Sequence, residues 1–172
     1  MSPVPLDARH IAAAEGGYVP QTGNIFSLEI AGLDGSDKDL ITLSLIDLQP
    51  PKESNSVTEI PYGNEVRKLA GRAKVEAMEL KVHDWVDRDT RGALMRWRRK
   101  VYDPATHIVG LPTVYKKIGD IILAAVDGTH QRVAKCTGIW PSDLDPGRLS
   151  QEDDKPVAIT CTIQVDLCTW EI

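Results

Sequence analysis

The segment from Val157 to Cys168 constrains this chain more than any other stretch. Val157, Ile159, Cys161, Ile163, Val165 and Leu167 alternate with Ala158, Thr160, Thr162, Gln164, Asp166 and Cys168. That period of two puts one set on the apolar face of a β-strand and the other on its polar face. The run is longer than the five or six residues typical of a strand in a small domain. It therefore needs partners along its whole length, supplied by a long hairpin in the same chain or by a neighbouring subunit.

Shorter patterns of the same kind precede it. Residues Ile25 to Ile30 read as a strand broken by Asp34-Gly35 and Ser36. Leu40 to Leu48 read as a second, with Ile41, Leu43 and Leu45 on one face and Thr42 and Ser44 on the other. From Ala73 the period returns, Met78, Leu80 and Val82 facing away from Glu79, Lys81 and His83. Ile118 to Val126, a turn at Asp127-Gly128, and Arg132 to Trp140 read as a hairpin. An acidic loop follows, carrying Asp143, Asp145, Glu152, Asp153 and Asp154. One helix is expected over about 88–102, capped by Asp87 or Asp89 and stopped by Asp103-Pro104, with Leu94, Trp97 and Val101 as its apolar stripe. Pro50-Pro51 opens a polar stretch, so residues 47–71 read as a long exposed loop.

Residues 1–22 hold Pro3, Pro5, Pro20 and Gly16-Gly17 and read as an N-terminal arm, leaving 23–172 as one domain. At 172 residues and 42% apolar composition the chain has the material for one packed core, burying about 70% of its unfolded surface. The expected fold is mainly β, with six or seven antiparallel strands and one main α-helix.

Several function classes fall away. No apolar run approaches the roughly 18 residues of a membrane helix, so no membrane anchor is expected. The N-terminus lacks the pattern of a secretion signal, which points to synthesis and folding in a cytoplasm. Cys136, Cys161 and Cys168 match no zinc spacing and read as free thiols in a reducing compartment. In an oxidising medium a leftover thiol can bridge subunits, and Cys168, on the polar face of the last strand, is the better placed for an intermolecular disulfide than Cys161. His10, His83, His107 and His130 lie far apart, and no phosphate-loop, dinucleotide or nucleophile-elbow motif is present. A thiol trio of Cys136, His130 and Asp127 reads as a strand cysteine beside a turn. Asp84 and Asp87 read as a solvated helix start. No catalytic, metal or cofactor site is expected, and the chain does not read as an enzyme.

The helix is basic, with Arg88, Arg91, Arg96, Arg98, Arg99 and Lys100, and Trp97 lies among them. A nucleic-acid-binding module would combine cations and a stacking aromatic in this way. Trp97 is in register with Leu94 and Val101, however, which reads as core. Arg91, Arg98, Arg99 and Lys100 then form an outer surface for a protein partner, and the net charge of −5 agrees with that.

The order of these pieces resembles the tail tube proteins of contractile-tailed phages, a fold family that includes contractile bacteriocin tubes and the hemolysin-coregulated tube protein of type VI secretion. Asn24 to Ile30 resembles the family's N-x-F-x-x-x-I opening. Ile60-Pro61-Tyr62-Gly63 and Arg67-Lys68-Leu69-Ala70-Gly71 resemble its long loop with a terminal A-G turn. Trp85 and Trp97 are spaced like its strand and helix tryptophans, and Tyr115-Lys116-Lys117 is similar to the Y-K-K that opens its late hairpin. Thr137 to Pro141 resembles the G-x-W-P that closes that hairpin, and Ile163 to Trp170 its final strand.

The resemblance implies two antiparallel sheets packed as a sandwich-like barrel, assembled into hexameric rings that stack into a hollow conduit for DNA delivery inside a contractile sheath. It implies a virion (tail) location after synthesis in a host bacterial cytoplasm. The implied partners are the chain itself, the tail sheath protein, baseplate and tail-terminator proteins, and a tape-measure protein and genomic DNA in the lumen. A bacteriocin or type VI-like secretion tube, or a tube initiator of the same fold, is the alternative. Under this resemblance Ile60, Pro61, Tyr62, Gly63, Val66, Arg67, Lys68, Leu69 and Gly71 become inter-ring or intersubunit contacts. Glu79, Lys81, Thr160, Thr162, Gln164 and Asp166 become candidates for the lumen.

Overall fold

A computed structural model describes residues 23–124, 131–150 and 155–171. The expected N-terminal arm, the Asp127-Gly128 turn with His130, and Glu152 to Asp154 lie outside the described residues. The strands are β1 (Phe26–Ala31), β2 (Leu45–Gln49), β3 (Glu53–Tyr62), β4 (Glu65–Val75), β5 (Met78–His83), β6 (Tyr102–Asp103), β7 (Ile108–Val109), β8 (Lys117–Ala124), β9 (Gln131–Asp145), β10 (Ala158–Gln164) and β11 (Leu167–Trp170). The helices are α1 (Gly35–Ser44), α2 (Thr90–Val101) and the single turn α3 (Pro112–Tyr115). The mainly β architecture is as expected.

The strands pair in the continuous order β1-β8-β9-β10-β5-β2, with β11 also paired to β9; every pairing is antiparallel, and the path divides at β9 into two sheets. Strand β9 is 15 residues long and serves two sheets. Its first part pairs with β8 and β11, and its last part, from Trp140, pairs with β10. Two bulges allow the change. Lys117 and Ile118 pair with Ile139 and Thr137, leaving Gly138 as an extra residue. Thr162 and Ile163 pair with Asp143 and Pro141, leaving Ser142. Gly138 has φ of +66°, the left-handed conformation of a bulge glycine, which any side chain would strain.

The inner faces of both sheets meet in one core. Leu28, Ile30, Ile121, Ala134 and Cys136 come from the first sheet; Met78, Leu80, Val82, Ile159, Cys161 and Ile163 come from the second. Helix α2 adds Ala93, Leu94 and Trp97 to the same cluster. Its start is capped as expected, the Gly92 N–H donating to Asp89 Oδ1 at 2.9 Å. Trp97 is core, 1% exposed, and its indole N–H donates to the Tyr115 carbonyl at 2.9 Å.

Four expectations are corrected. Residues 35–44 form a helix, where Leu40 to Leu48 reads as a strand. Asp37, Ile41 and Ser44 are its buried residues, a spacing of four and three that one helix face satisfies and a strand cannot. The loop over 47–71 is largely a β-hairpin, β3 with β4. Residues 137–141 end the pairing of β9 with β8, at Ile139, but the strand does not stop at Trp140 as expected: it runs on to Asp145. The last strand is interrupted at Val165-Asp166, and its phase reverses there: Cys168 is 2% exposed and Leu167 is 53% exposed.

The signature residues of the sequence converge on the point where β9 changes sheets. The Tyr115 ring meets the Trp140 ring edge-on, centroids 5.7 Å apart. Lys116 Nζ bonds Asp166 Oδ2 at 2.5 Å. A Cβ on Gly138 would lie 2.1 Å from that same Asp166 oxygen. Gly138→Ala is expected to lower unfolding free energy by about 2 kcal/mol or more, from left-handed strain plus the clash. Urea denaturation followed by tryptophan fluorescence measures this.

Candidate assembly surfaces

The β3–β4 hairpin is exposed along almost its entire length. Tyr62 and Glu65 pair across a two-residue turn in which Gly63 has φ of +61°, the type II′ requirement for glycine at the first turn position. Gly71 is not in a turn. It sits in a bulge opposite Ser56, whose Oγ would lie 2.2 Å from a Cβ at Gly71. Ile60, Tyr62 and Leu69 share one face with Arg67, whose guanidinium lies 4.4 Å from the Tyr62 ring centroid. Val57, Pro61 and Val66 share the other with the Lys68–Glu59 ion pair at 3.6 Å.

Val57, Ile60, Tyr62, Val66 and Leu69 are between 45% and 64% exposed. Burying one such side chain is worth about 1.5–3 kcal/mol, and a two-stranded hairpin alone is marginal in water. The ribbon is apolar and exposed on both faces. The expected contact residues are thus all carried on one protruding element.

A second surface is the outward face of β2, β5, β10 and the end of β9. Asp47, Lys81, Thr160 and Asp145 lie side by side in one row across these four strands. Gln49, Glu79, Thr162 and Asp143 form the adjacent row. Four strands at the usual spacing make this wall about 14 Å wide. It carries four carboxylates and one ammonium, the Lys81–Glu79 pair closing at 3.7 Å. Gln164 extends it, donating to Ser142 Oγ at 3.0 Å. Four of the lumen candidates, Glu79, Lys81, Thr160 and Thr162, therefore stand at its centre. Asp166 does not belong to it, being held by Lys116 at the sheet junction. Asp47 and Gln49 fall at the start of the expected 47–71 loop, and Asp143 and Asp145 in the expected acidic loop, so the sequence pattern does not mark them as neighbours of Glu79.

The basic helix is partly consumed by internal pairs. Arg91 donates from Nε and Nη2 to Asp84 Oδ2 at 3.0 and 2.7 Å. Arg96 holds the buried Asp37 through two bonds and Asp89 through a third at 2.9 Å. Arg98, Arg99 and Lys100 remain in the last turn, where the helix dipole favours cations. Trp97 is not available for stacking.

Among the described residues no group of three or more His, Cys, Asp or Glu is placed to hold a metal. None of the described helices is long and apolar enough to cross a membrane. Of the thiol trio only Cys136 lies within the described residues, and burial holds its thiol far above its ordinary value. Cys168 is buried, which removes the premise that it faces outward toward a neighbouring subunit.

Asp89, the cap of α2, ties the helix to pH. The Arg96 hydrogen bond, then the Gly92 N–H, hold its carboxyl below the usual value. Its ionised form thus stabilises the fold above the ordinary carboxylate pKa, and that contribution is lost as pH falls through the lower folded value. Asp89→Asn is expected to flatten the fall of thermal midpoint below about pH 4, as followed by circular dichroism melts from pH 2 to 7.

No family model matches the sequence, and no curated protein matches it. Solved structures do. A chain from the sheath-tube complex of an extracellular contractile injection system, PVC, in its extended state is 14% identical, with TM-score 0.69 over 97% of this chain and 99% of that one. A chain from the tube-terminating cap of the anti-feeding prophage is 14% identical, with TM-score 0.72 over 93% and 96%. Hcp1 from Flavobacterium johnsoniae is 11% identical, with TM-score 0.51 over 85% and 94%. The chain has the tail tube and Hcp-like fold, as the resemblance in sequence implied.

Proposed function

We propose that this chain is the repeating subunit of a hollow tube that runs inside a contractile sheath. The observation that carries the reading is a fold shared end to end with a sheath-tube chain, in which the β3–β4 hairpin exposes apolar residues on both faces. Six copies form a ring, and rings stack. The hairpin of each copy, through Ile60, Tyr62, Val66 and Leu69, lies on a neighbouring subunit and closes ribbon edges that would otherwise invite aggregation. The polar wall around Glu79, Lys81, Thr160 and Thr162 lines the channel.

A wall with four carboxylates and one ammonium suits a conduit. It stays wet, offers no apolar patch to a passing chain, and repels a phosphate backbone. The remaining cations of α2 face outward toward the sheath. Sheath, baseplate and terminator proteins are the partners of such a tube, and its role is mechanical rather than enzymatic.

Whether the assembly is a virion tail or an injection apparatus turns on its cargo. The Tyr115-Lys116-Lys117 and Trp140-Pro141 signatures support a phage tail tube, with a tape-measure protein and then genomic DNA in the lumen. Similarity to PVC and anti-feeding prophage chains supports an injection tube. A nucleic-acid module built on α2 is disfavoured, since Arg91 and Arg96 are engaged within the chain and Trp97 is buried.

Negative-stain electron microscopy of the purified protein across a concentration series tests the proposal. Rings or tubes with a central channel are expected, and dispersed single subunits at every concentration would sink it. Tyr62→Ser combined with Leu69→Ser is expected to leave monomer stability within about 0.5 kcal/mol. The same pair should raise the concentration needed for assembly at least about tenfold, from two lost burials. Replacing Glu79 and Asp143 by Lys is expected to preserve tubes but make them retain DNA in a salt-dependent manner.

A further inference from the structure

We propose that Cys136 and Cys168 are a disulfide site, a reversible covalent latch that fastens the C-terminal strand β11 to the centre of the fold. The two residues are direct register partners in the antiparallel β9–β11 pair. Their Sγ atoms already touch at 2.7 Å, and the pair is 32 residues apart in sequence. Both are buried, at 0% and 2% exposure.

The ladder fixes which kind of pair they form. The Glu171 N–H donates to the Val133 carbonyl at 2.8 Å, marking Val133 and Glu171 as a hydrogen-bonded pair. Hydrogen-bonded and non-hydrogen-bonded pairs alternate along an antiparallel ladder. Ala134–Trp170 is therefore non-bonded, Lys135–Thr169 bonded, and Cys136–Cys168 non-bonded. Non-bonded partners have Cα atoms about 4.5 Å apart and side chains close together, inside the Cα span of about 4.4–6.8 Å that a disulfide accepts. Cys161 cannot compete by register, because its partners are Leu80 and Leu144.

Closure balances with a low-molecular-weight disulfide as oxidant. The thiolate of one cysteine attacks the small disulfide, forming a mixed disulfide and releasing one small thiol. The thiolate of the other then displaces the second small thiol. The protein gives up two electrons and two protons; the small disulfide takes them and leaves as two thiols.

Burial raises both protein thiols above their ordinary pKa, so little thiolate exists in the closed fold. Closure accordingly proceeds through fraying of β11, whose pairing is to β9 and whose Thr169 and Trp170 are exposed. The pair stays reduced in a reducing cytosol and closes once the protein meets an oxidising medium. This inference does not depend on the tube reading.

The test incubates the full-length protein in glutathione buffers of stepped oxidised-to-reduced ratio, blocks free thiols and maps peptides without reduction. A peptide pair joining Cys136 to Cys168, with Cys161 still alkylated and the chain monomeric on non-reducing gels, is expected. The thermal midpoint should rise by roughly 5–10 °C on oxidation and return on reduction. Cys161→Ser should keep the link and the shift; Cys168→Ala should lose both. A covalent dimer through Cys168, a link containing Cys161, or no link in the folded chain while the urea-unfolded chain does cross-link would each overturn the proposal.

Discussion

The fold depends on one strand doing duty in two sheets. Strand β9 can pair with β8 and β11 at one end and with β10 at the other only because Gly138 adopts a left-handed conformation and Ser142 is left out of register. Without those bulges a 15-residue strand would twist smoothly through one sheet, and the inner faces of the two halves would not enclose a common core. The residues around the bend secure it by contacts of different kinds. Trp97 bonds the Tyr115 carbonyl, Tyr115 meets Trp140, and Lys116 neutralises Asp166 beside the glycine. Pro141 fits there as well, at a bulge where a missing N–H costs little.

From that junction the two candidate surfaces follow. Bending β9 turns Asp143 and Asp145 outward beside β10, so the acidic end of the strand joins Glu79 and Asp47 in one wall instead of lying in a loop. The β3–β4 hairpin leaves the body between β2 and β5, where Glu76 N–H bonds the Lys52 carbonyl at 2.8 Å at its base. Beyond that base Val57, Ile60, Tyr62, Val66 and Leu69 are exposed. A hairpin of this kind is stable in an assembly and costly outside one, and a wall this polar is stable in water. The division between an apolar arm and a wet wall is what supports the stacked, hollow assembly proposed for this chain.

The core strands were legible because burial on one face imposes a strict period of two: Met78, Leu80, Val82 and Ile159, Cys161, Ile163 are all inside. The helix of the basic segment was legible from its cap at Asp89 and the spacing of Leu94, Trp97 and Val101. Residues 40–44 read as strand because Ile41, Leu43 and Leu45 also fit a period of two. Only the placement of Asp37 against Arg96 and of Ser44 against Thr90 and Trp85 selects the helix. The hairpin reads as a loop because exposed strands bury neither face and so show no clean alternation.

The sequence by itself determined the class of the molecule: alternation set which faces are apolar, caps set the helix, and the ordered signatures pointed to a tube fold. These are local properties, written in residues a few positions apart. What tertiary structure alone decided is everything that rests on register between distant strands. It brought Asp47 and Asp143 to Glu79, drew Lys116, Gly138 and Asp166 to one point, and moved Cys168 from an outer face to a position against Cys136. A single phase reversal at Val165-Asp166 turns every following side chain over, and that irregularity comes from pairing with β9, which the final strand's own sequence does not record.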